Sequence, residues 1–363
     1  MSFGDVFVLI IFLLLLLEIF TITQLPTYSR EVLLLSLLVP ASLIVATFRF
    51  PNNTNLISGS IEIIKISASI FYFISIVALT QRDAVSRVYL FAFCTFLMIL
   101  PLSIWTTIET LSGVRRPSGT FSNPNLYADY LLFSLSMVGL ILNKEITAKQ
   151  YYRAAFFIVP IPFIIISLFG TQSRSGIGAL IIIIAVYSLA KWKSIISIYQ
   201  NKLYLILSII VTSGIASLLL SRSWGVIGRF QSVLAGGSTG GRFVRWAQSV
   251  DILITSSFIG VGWGQHRQYI ESTISLHNSL VQITVELGIL GAVLLVLIWL
   301  LAIRRGFQLS TKKNYSYTIY LTAFLTASVA NSMFHNNLNF RTFWIVLGLI
   351  GSLELSYWRA TSI

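Results

Sequence analysis

The chain has little charge, one cysteine and few histidines, and each shortage closes off a class of function. Asp, Glu, Lys and Arg make up 10% of its 363 residues, against about 25% in soluble domains. So little charge cannot clothe a water-soluble fold, which excludes a set of soluble domains. The one cysteine, Cys94, allows no intrachain disulfide and makes no metal site. It lies in an apolar run and is expected to be a small buried hydrophobe. The three histidines show no HxxxH or HExxH spacing, so a metal centre is not expected. No GxxxxGK[ST] segment is present to cradle a nucleotide phosphate.

What the chain has in quantity is apolar sequence. Hydrophobic residues make up 56% of it, in runs long enough to cross a bilayer. Eleven candidate spans fall at about 4–22, 32–50, 57–79, 87–107, 125–142, 154–170, 174–190, 203–220, 277–302, 317–335 and 341–358. Gly and Pro inside these runs are tolerated in transmembrane helices. The first run, Val6 to Phe20, lacks a basic flank and a small-residue cleavage site and reads as a retained span. The third contains Glu62 and Lys65, which at i, i+3 can pair on one helix face. The expected fold is all-α: a polytopic helical membrane protein of about 11–12 transmembrane helices, forming one domain over 1–363. A large external loop is expected over 221–276.

The basic residues carry orientation. Taking alternate loops as cytoplasmic places Lys144, Lys149, Lys191, Lys193, Lys202, Lys312 and Lys313 on one side, with Arg30, Arg82, Arg87, Arg153, Arg304, Arg305 and Arg359. The other side holds only arginine: Arg49, Arg115, Arg116, Arg174, Arg222, Arg229, Arg242, Arg245, Arg267 and Arg341. The 221–276 loop is therefore expected outside and the C-terminus in the cytoplasm. The guanidinium is a planar, always-charged fork that grips phosphate through two hydrogen bonds; lysine offers only a point charge. An outer face using arginine alone suits phosphate recognition. Except at Arg174 and Arg242, any single arginine can equally bind a lipid headgroup or pair with Asp251 or Glu271.

One stretch, Arg242 to Gly291, concentrates the chemistry. GRFVRW opens an amphipathic helix over about 242–255, with Phe243, Trp246, Ala247, Val250 and Ile254 on one face and Arg242, Arg245 and Ser249 on another. That pattern suits a helix lying on the bilayer surface. The Gly-rich segment GVGWGQHRQYIEST follows, and then a long apolar run that opens on His277. An imidazole at a membrane surface beside fixed positive charge suits chemistry on a phosphate-bearing lipid. In a continuous helix Gly288 lies about 20° from His277, three turns deeper, where a small residue admits a neighbouring helix. Glu286 falls on the opposite face and is expected to be a hydrogen-bonded structural carboxylate. His266 and His335 are expected to be structural. Arg174 opens the seventh span after a short turn that limits its freedom. RRPSGTFSNPNLYADYLLF, from Arg115, reads as a turn and a helix start capped by Asn123 or Asn125. Sugar binding at the outer rim is the weaker reading of that segment.

Taken in order, GTFSNPNLYADYLL, SRSGIGAL, GRFVRW, GVGWG and HNSLVQITVELGILG resemble the O-antigen ligase and polymerase superfamily, over roughly Arg115 to Arg305. His277 with Gly288 is similar to the family's H-x10-G pattern. The resemblance implies a GT-C-like, metal-independent, inverting glycosyltransferase with no cofactor. It would sit in the cytoplasmic (inner) membrane with its active site facing the periplasm. The implied donor is an undecaprenyl-diphosphate glycan and the implied acceptor a glycan, lipid A core or protein; membrane lipids are partners and nucleic acid is not. By resemblance His277 is the catalytic base, and Arg174 and Arg242, with Arg245, hold the diphosphate. Polymerase and ligase share these motifs. A transporter or flippase of lipid-linked saccharide remains the alternative, using the same arginines without a base.

Overall fold

The structure, a computed structural model, describes residues 25–80, 83–114, 116–190, 240–270, 276–336, 338 and 340–361. The spans expected at 4–22 and 203–220 lie outside the described residues. Every regular element described is helical, with no strand among the described residues. In chain order the helices are α1 (Ser29–Arg49), α2 (Leu56–Thr80), α3 (Ala84–Leu111), α4 (Pro124–Thr147), α5 (Tyr151–Ile158), α6 (Pro160–Gly170), α7 (Arg174–Ala190), α8 (Gly240–Thr255), α9 (His266–Tyr269), α10 (Ser279–Ser310), α11 (Thr318–Asn331) and α12 (Arg341–Thr361).

Among the described residues, six helical stretches are long and apolar enough to cross a membrane: α1, α2, α3, α4, α5 with α6, and α10. The chain is an all-α polytopic membrane protein, as its composition requires. Pro160 divides the expected span 154–170 into α5 and α6, because proline cannot donate its backbone N–H and fits best at the first position of a helix. α12 occupies the expected span 341–358 but is not among the six. From Phe343 to Leu355 nearly every residue is buried, so much of its length is wrapped by protein.

The chain divides into two compact units, residues 1–90 with 241–318 and 332–363, and residues 91–240 with 319–331. In the first, α12 packs on α2, and α10 packs on α1 and α12. Tyr28 donates its hydroxyl to the carbonyl of Leu347, tying the start of α1 to α12. Glu62 and Lys65 pair at 2.6 Å on α2, as their spacing predicts.

In the second unit, α4 packs on α5, α6 and α7. A buried polar knot joins α3, α4 and α6: Thr106 Oγ1 lies 2.6 Å from Tyr127 Oη and 2.7 Å from Ser167 Oγ, and Ser167 Oγ donates to the carbonyl of Ser103. Hydroxyls that bond between helices hold such a bundle together where lipid supplies little drive for apolar association. Asn123 caps α4, its side chain accepting from the N–H of Asn125 at 2.8 Å. Cys94 departs from expectation. It is exposed on α3.

Candidate functional site

The first unit builds its site around a break in α10. Gly288 has φ 68° and ψ −167°, a conformation open essentially to glycine alone. The gap is filled by backbone. Val261 N–H donates to the carbonyl of Val285 at 2.9 Å, Gly262 N–H to that of Glu286 at 3.0 Å, and Ile289 N–H to that of Phe258 at 3.1 Å. These bonds satisfy groups that the break would otherwise leave unpaired. The GVGWG segment can lie this close because Gly260, Gly262 and Gly264 all have positive φ. A Cβ on Gly260 would meet the Glu286 carbonyl oxygen at 2.6 Å, and one on Gly288 would meet that of Phe258 at 2.3 Å. This corrects the reading of Gly288 as a small residue on the His277 stripe of one continuous helix. It admits a loop, not a neighbouring helix.

A small core of Ile252, Val261, Ile270, Leu276 and Val285 holds this loop against α8 and α10. Gln265 clamps its far side, accepting from Asn55 N–H at 2.7 Å and donating to the Asn55 carbonyl at 3.1 Å. Trp246 of GRFVRW donates its indole N–H to the carbonyl of Leu276 at 3.0 Å. The amphipathic helix thus anchors the residue just before His277.

His277 is half-buried and lies outside α10, which Asn278 caps by accepting from Val281 N–H at 3.0 Å. Its φ is 50°, in the left-handed region where histidine is enriched among non-glycine residues. Its ring meets that of His335 edge to face, with centroids 6.0 Å apart. The tight turn carrying His335 is pinned beside it, since Ser279 donates through N–H to the Ser332 carbonyl at 2.8 Å and through Oγ to the His335 carbonyl at 3.1 Å.

The remaining histidine completes the cluster. His266 Nδ1 bonds Glu286 Oε1, and Gln282 Nε2 donates to Glu286 Oε2 at 3.3 Å. Asn336 Nδ2 in turn donates to Gln282 Oε1 at 2.7 Å. Glu286 is fully buried and hydrogen-bonded, the structural carboxylate its position predicts. All three histidines of the chain therefore gather at the head of α10. Sequence reasoning set His266 and His335 aside because neither has a partner at a recognisable spacing. Among the described residues, no group of three or more His, Cys, Asp or Glu side chains is placed to hold a metal ion.

The arginines divide between the units. Arg245, on α8, is half-buried, and its Nε is buried with no hydrogen-bond partner among the described residues. The side chain of Arg242 lies outside the described residues. Ser249, Ile252 and Ser256 face inward, while Val250 and Ile254 of the expected apolar face are exposed. An exposed apolar helix face suits contact with lipid. In the second unit, Arg174 is the first residue of α7, half-buried behind the turn Thr171–Ser173. Ser173 Oγ accepts from Gly176 N–H at 3.2 Å, capping α7. Arg116 Nε donates to the Thr171 carbonyl at 3.3 Å, bringing a second guanidinium to the turn that precedes Arg174. Nothing in the spacing of Arg116 signals that placement. Two other arginines of the lysine-free side have structural partners: Arg49 donates to Ser257 Oγ at 2.9 Å, and Arg341 lies 5.6 Å over the Tyr72 ring.

Residues 159–296 match the family described as O-antigen ligase. The match supports the O-antigen ligase and polymerase superfamily and a membrane glycan-processing function of that type. It spans Arg174, Arg242, Arg245, His277 and Gly288. No curated protein matches the chain.

Proposed function

We propose, with the O-antigen ligase match as premise, that this chain is a membrane glycosyltransferase. It moves or polymerises a glycan from an undecaprenyl-diphosphate donor on the outer face of the cytoplasmic membrane. The observation that carries the reading is the imidazole of His277 at the head of α10, held between the Trp246–Leu276 anchor and the His335 turn. The acceptor is a hydroxyl of a second lipid-linked glycan, of lipid A core or of a protein. Its oxygen attacks the anomeric carbon of the donor, and its proton passes to His277. The bond from that carbon to the phosphate oxygen breaks, and its electron pair leaves with undecaprenyl diphosphate. Arg174, Arg242 and Arg245 neutralise the charge that develops there. A single displacement inverts the carbon, and the scheme calls on neither metal nor nucleotide.

The break at Gly288 is the one observation that favours a transporter or flippase, since discontinuous helices mark many transporters. Here, however, a loop of the same unit fills the break and satisfies its backbone. The deciding experiment is glycan transfer in proteoliposomes holding defined donor and candidate acceptors. Transfer supports the enzyme; lipid movement between leaflets without transfer supports the alternative.

Two further results are expected. Arg174→Lys and Arg242→Lys should each lose most transfer activity although the charge is kept, because the guanidinium fork carries the recognition. Full activity in both would reduce the arginines to a diffuse field. A reporter fused after Arg305 should be cytoplasmic and one inserted within 236–241 external, as the segregation of lysine implies. A cytoplasmic signal from 236–241 would put GRFVRW on the wrong side for an outer-leaflet donor.

A further inference from the structure

We propose that the pocket between α2, the GVGWGQHR loop and the first turns of α10 is a saccharide subsite, in which His266 Nε2 accepts a hydrogen bond from a sugar hydroxyl. The inference rests on the glycan-transfer reading and adds a specific place for a sugar ring.

The pocket has a volume of about 210 Å³. His266 lines it and is only 4% exposed. Glu286 has two carboxylate oxygens that accept, one from His266 and one from Gln282. In the neutral ring Nδ1 of His266 donates to that carboxylate, and Nε2 on the other side of the ring keeps its lone pair. Nε2 is buried and has no hydrogen-bond partner among the described residues. A buried polar atom in that state is costly; a small turn of the ring toward the pocket lets a ligand donate to it and relieves the cost.

The rest of the lining selects the ligand by elimination. Lys65 and Arg267 repel a metal cation, which would also find few oxygen ligands. Glu62 on the wall and Glu286 behind His266 oppose an anion, and Lys65 is already engaged by Glu62 at 2.6 Å. The amides of Gln282 and Asn336 and the hydroxyl of Ser58 both donate and accept. A neutral ligand rich in hydroxyls fits donors and acceptors mixed in this way. Asn336 directly follows His335, whose ring meets that of His277. The subsite thus adjoins the proposed base, where the sugar that carries the reacting atoms, or its neighbour, has to be recognised.

The test is saturation-transfer NMR on the purified full chain in detergent micelles. The probes are the methyl glycosides of glucose, galactose, mannose and N-acetylglucosamine, with inorganic diphosphate as competitor. At least one glycoside should bind saturably and survive excess diphosphate. His266→Gln should weaken it about tenfold, the effect of one hydrogen bond to a buried group. Ser58→Phe fills the pocket from its rim, leaves the His266–Glu286 pair in place and should abolish binding at an unchanged unfolding temperature. The proposal is overturned if no glycoside binds the parent protein, if diphosphate displaces it, or if Ser58→Phe binds as the parent does. Glycan transfer by the parent is measured alongside. Transfer with glycoside binding untouched by both variants overturns the subsite alone. Glycoside binding lost in Ser58→Phe, from a parent that transfers no glycan, overturns the transferase and keeps the subsite.

Discussion

His277→Ala is expected to lower glycan transfer by roughly 10²–10⁴-fold, the usual contribution of a general base, while donor binding survives. The arginines hold the diphosphate in the proposed scheme, so affinity and chemistry separate at this position. The backbone complicates the reading. His277 sits at φ 50°, where a non-glycine residue costs roughly 1–2 kcal/mol. Asparagine tolerates that region and hydrogen-bonds locally without acting as a base. His277→Asn should therefore keep the fold and donor binding, as His277→Ala keeps donor binding, and still fail to transfer. Donor binding, transfer and leaflet exchange belong on the same purified protein. Undiminished transfer in either variant would remove His277 from the mechanism. Lost leaflet exchange in a protein that never transferred glycan would favour the transporter.

Gly288→Ala is expected to damage the fold of the site rather than its chemistry. Its φ and ψ fall in a region that costs an ordinary residue about 1–3 kcal/mol, and the added Cβ would stand 2.3 Å from the Phe258 carbonyl oxygen. Relief requires the 258–262 loop to withdraw, breaking the bonds from Val261 and Gly262 to the α10 carbonyls. The unfolding midpoint in detergent should drop, and transfer should fall with it because Leu276, the residue before His277, belongs to the same small core as Val261. Gly178→Ala is the matching control. It lies on α7 with no described residue within 4 Å of the added carbon, and alanine there should be neutral or stabilising by up to about 1 kcal/mol. Equal midpoints for the two variants would show that the break at Gly288 is not strained.

Much of this arrangement was legible because its causes are local. Asn123 before Pro124 caps α4 through its own side chain. Glu62 and Lys65 pair because i, i+3 residues share a helix face. GRFVRW starts a helix that presents Val250 and Ile254 outward because its periodicity leaves them on one stripe. The failures have causes distant along the chain. Gly288 read as an ordinary small residue on an uninterrupted span, since the loop that fills its break is 26 or more positions upstream. Cys94 read as buried because an apolar run does not reveal which of its faces meets lipid. Arg116 and His335 carried no recognisable spacing, yet one reaches the turn before Arg174 and the other the ring of His277.

What the sequence determined by itself is the architecture. An apolar run of bilayer length has no water to satisfy its amides and must close its hydrogen bonds within itself, so composition alone required a helical membrane protein. The order of GTFSNPN, SRSG, GRFVRW, GVGWG and HNSL pointed to the family that residues 159–296 match. Tertiary structure decided the rest. Backbone donors at 261 and 262 meet acceptors at 285 and 286, a pairing that forms only once α8 and α10 are packed on their shared core. That pairing opens the helix at Gly288. The packing around it then sets His266 against Glu286 and His335 against His277, and so gathers the chain's three histidines at one helix end.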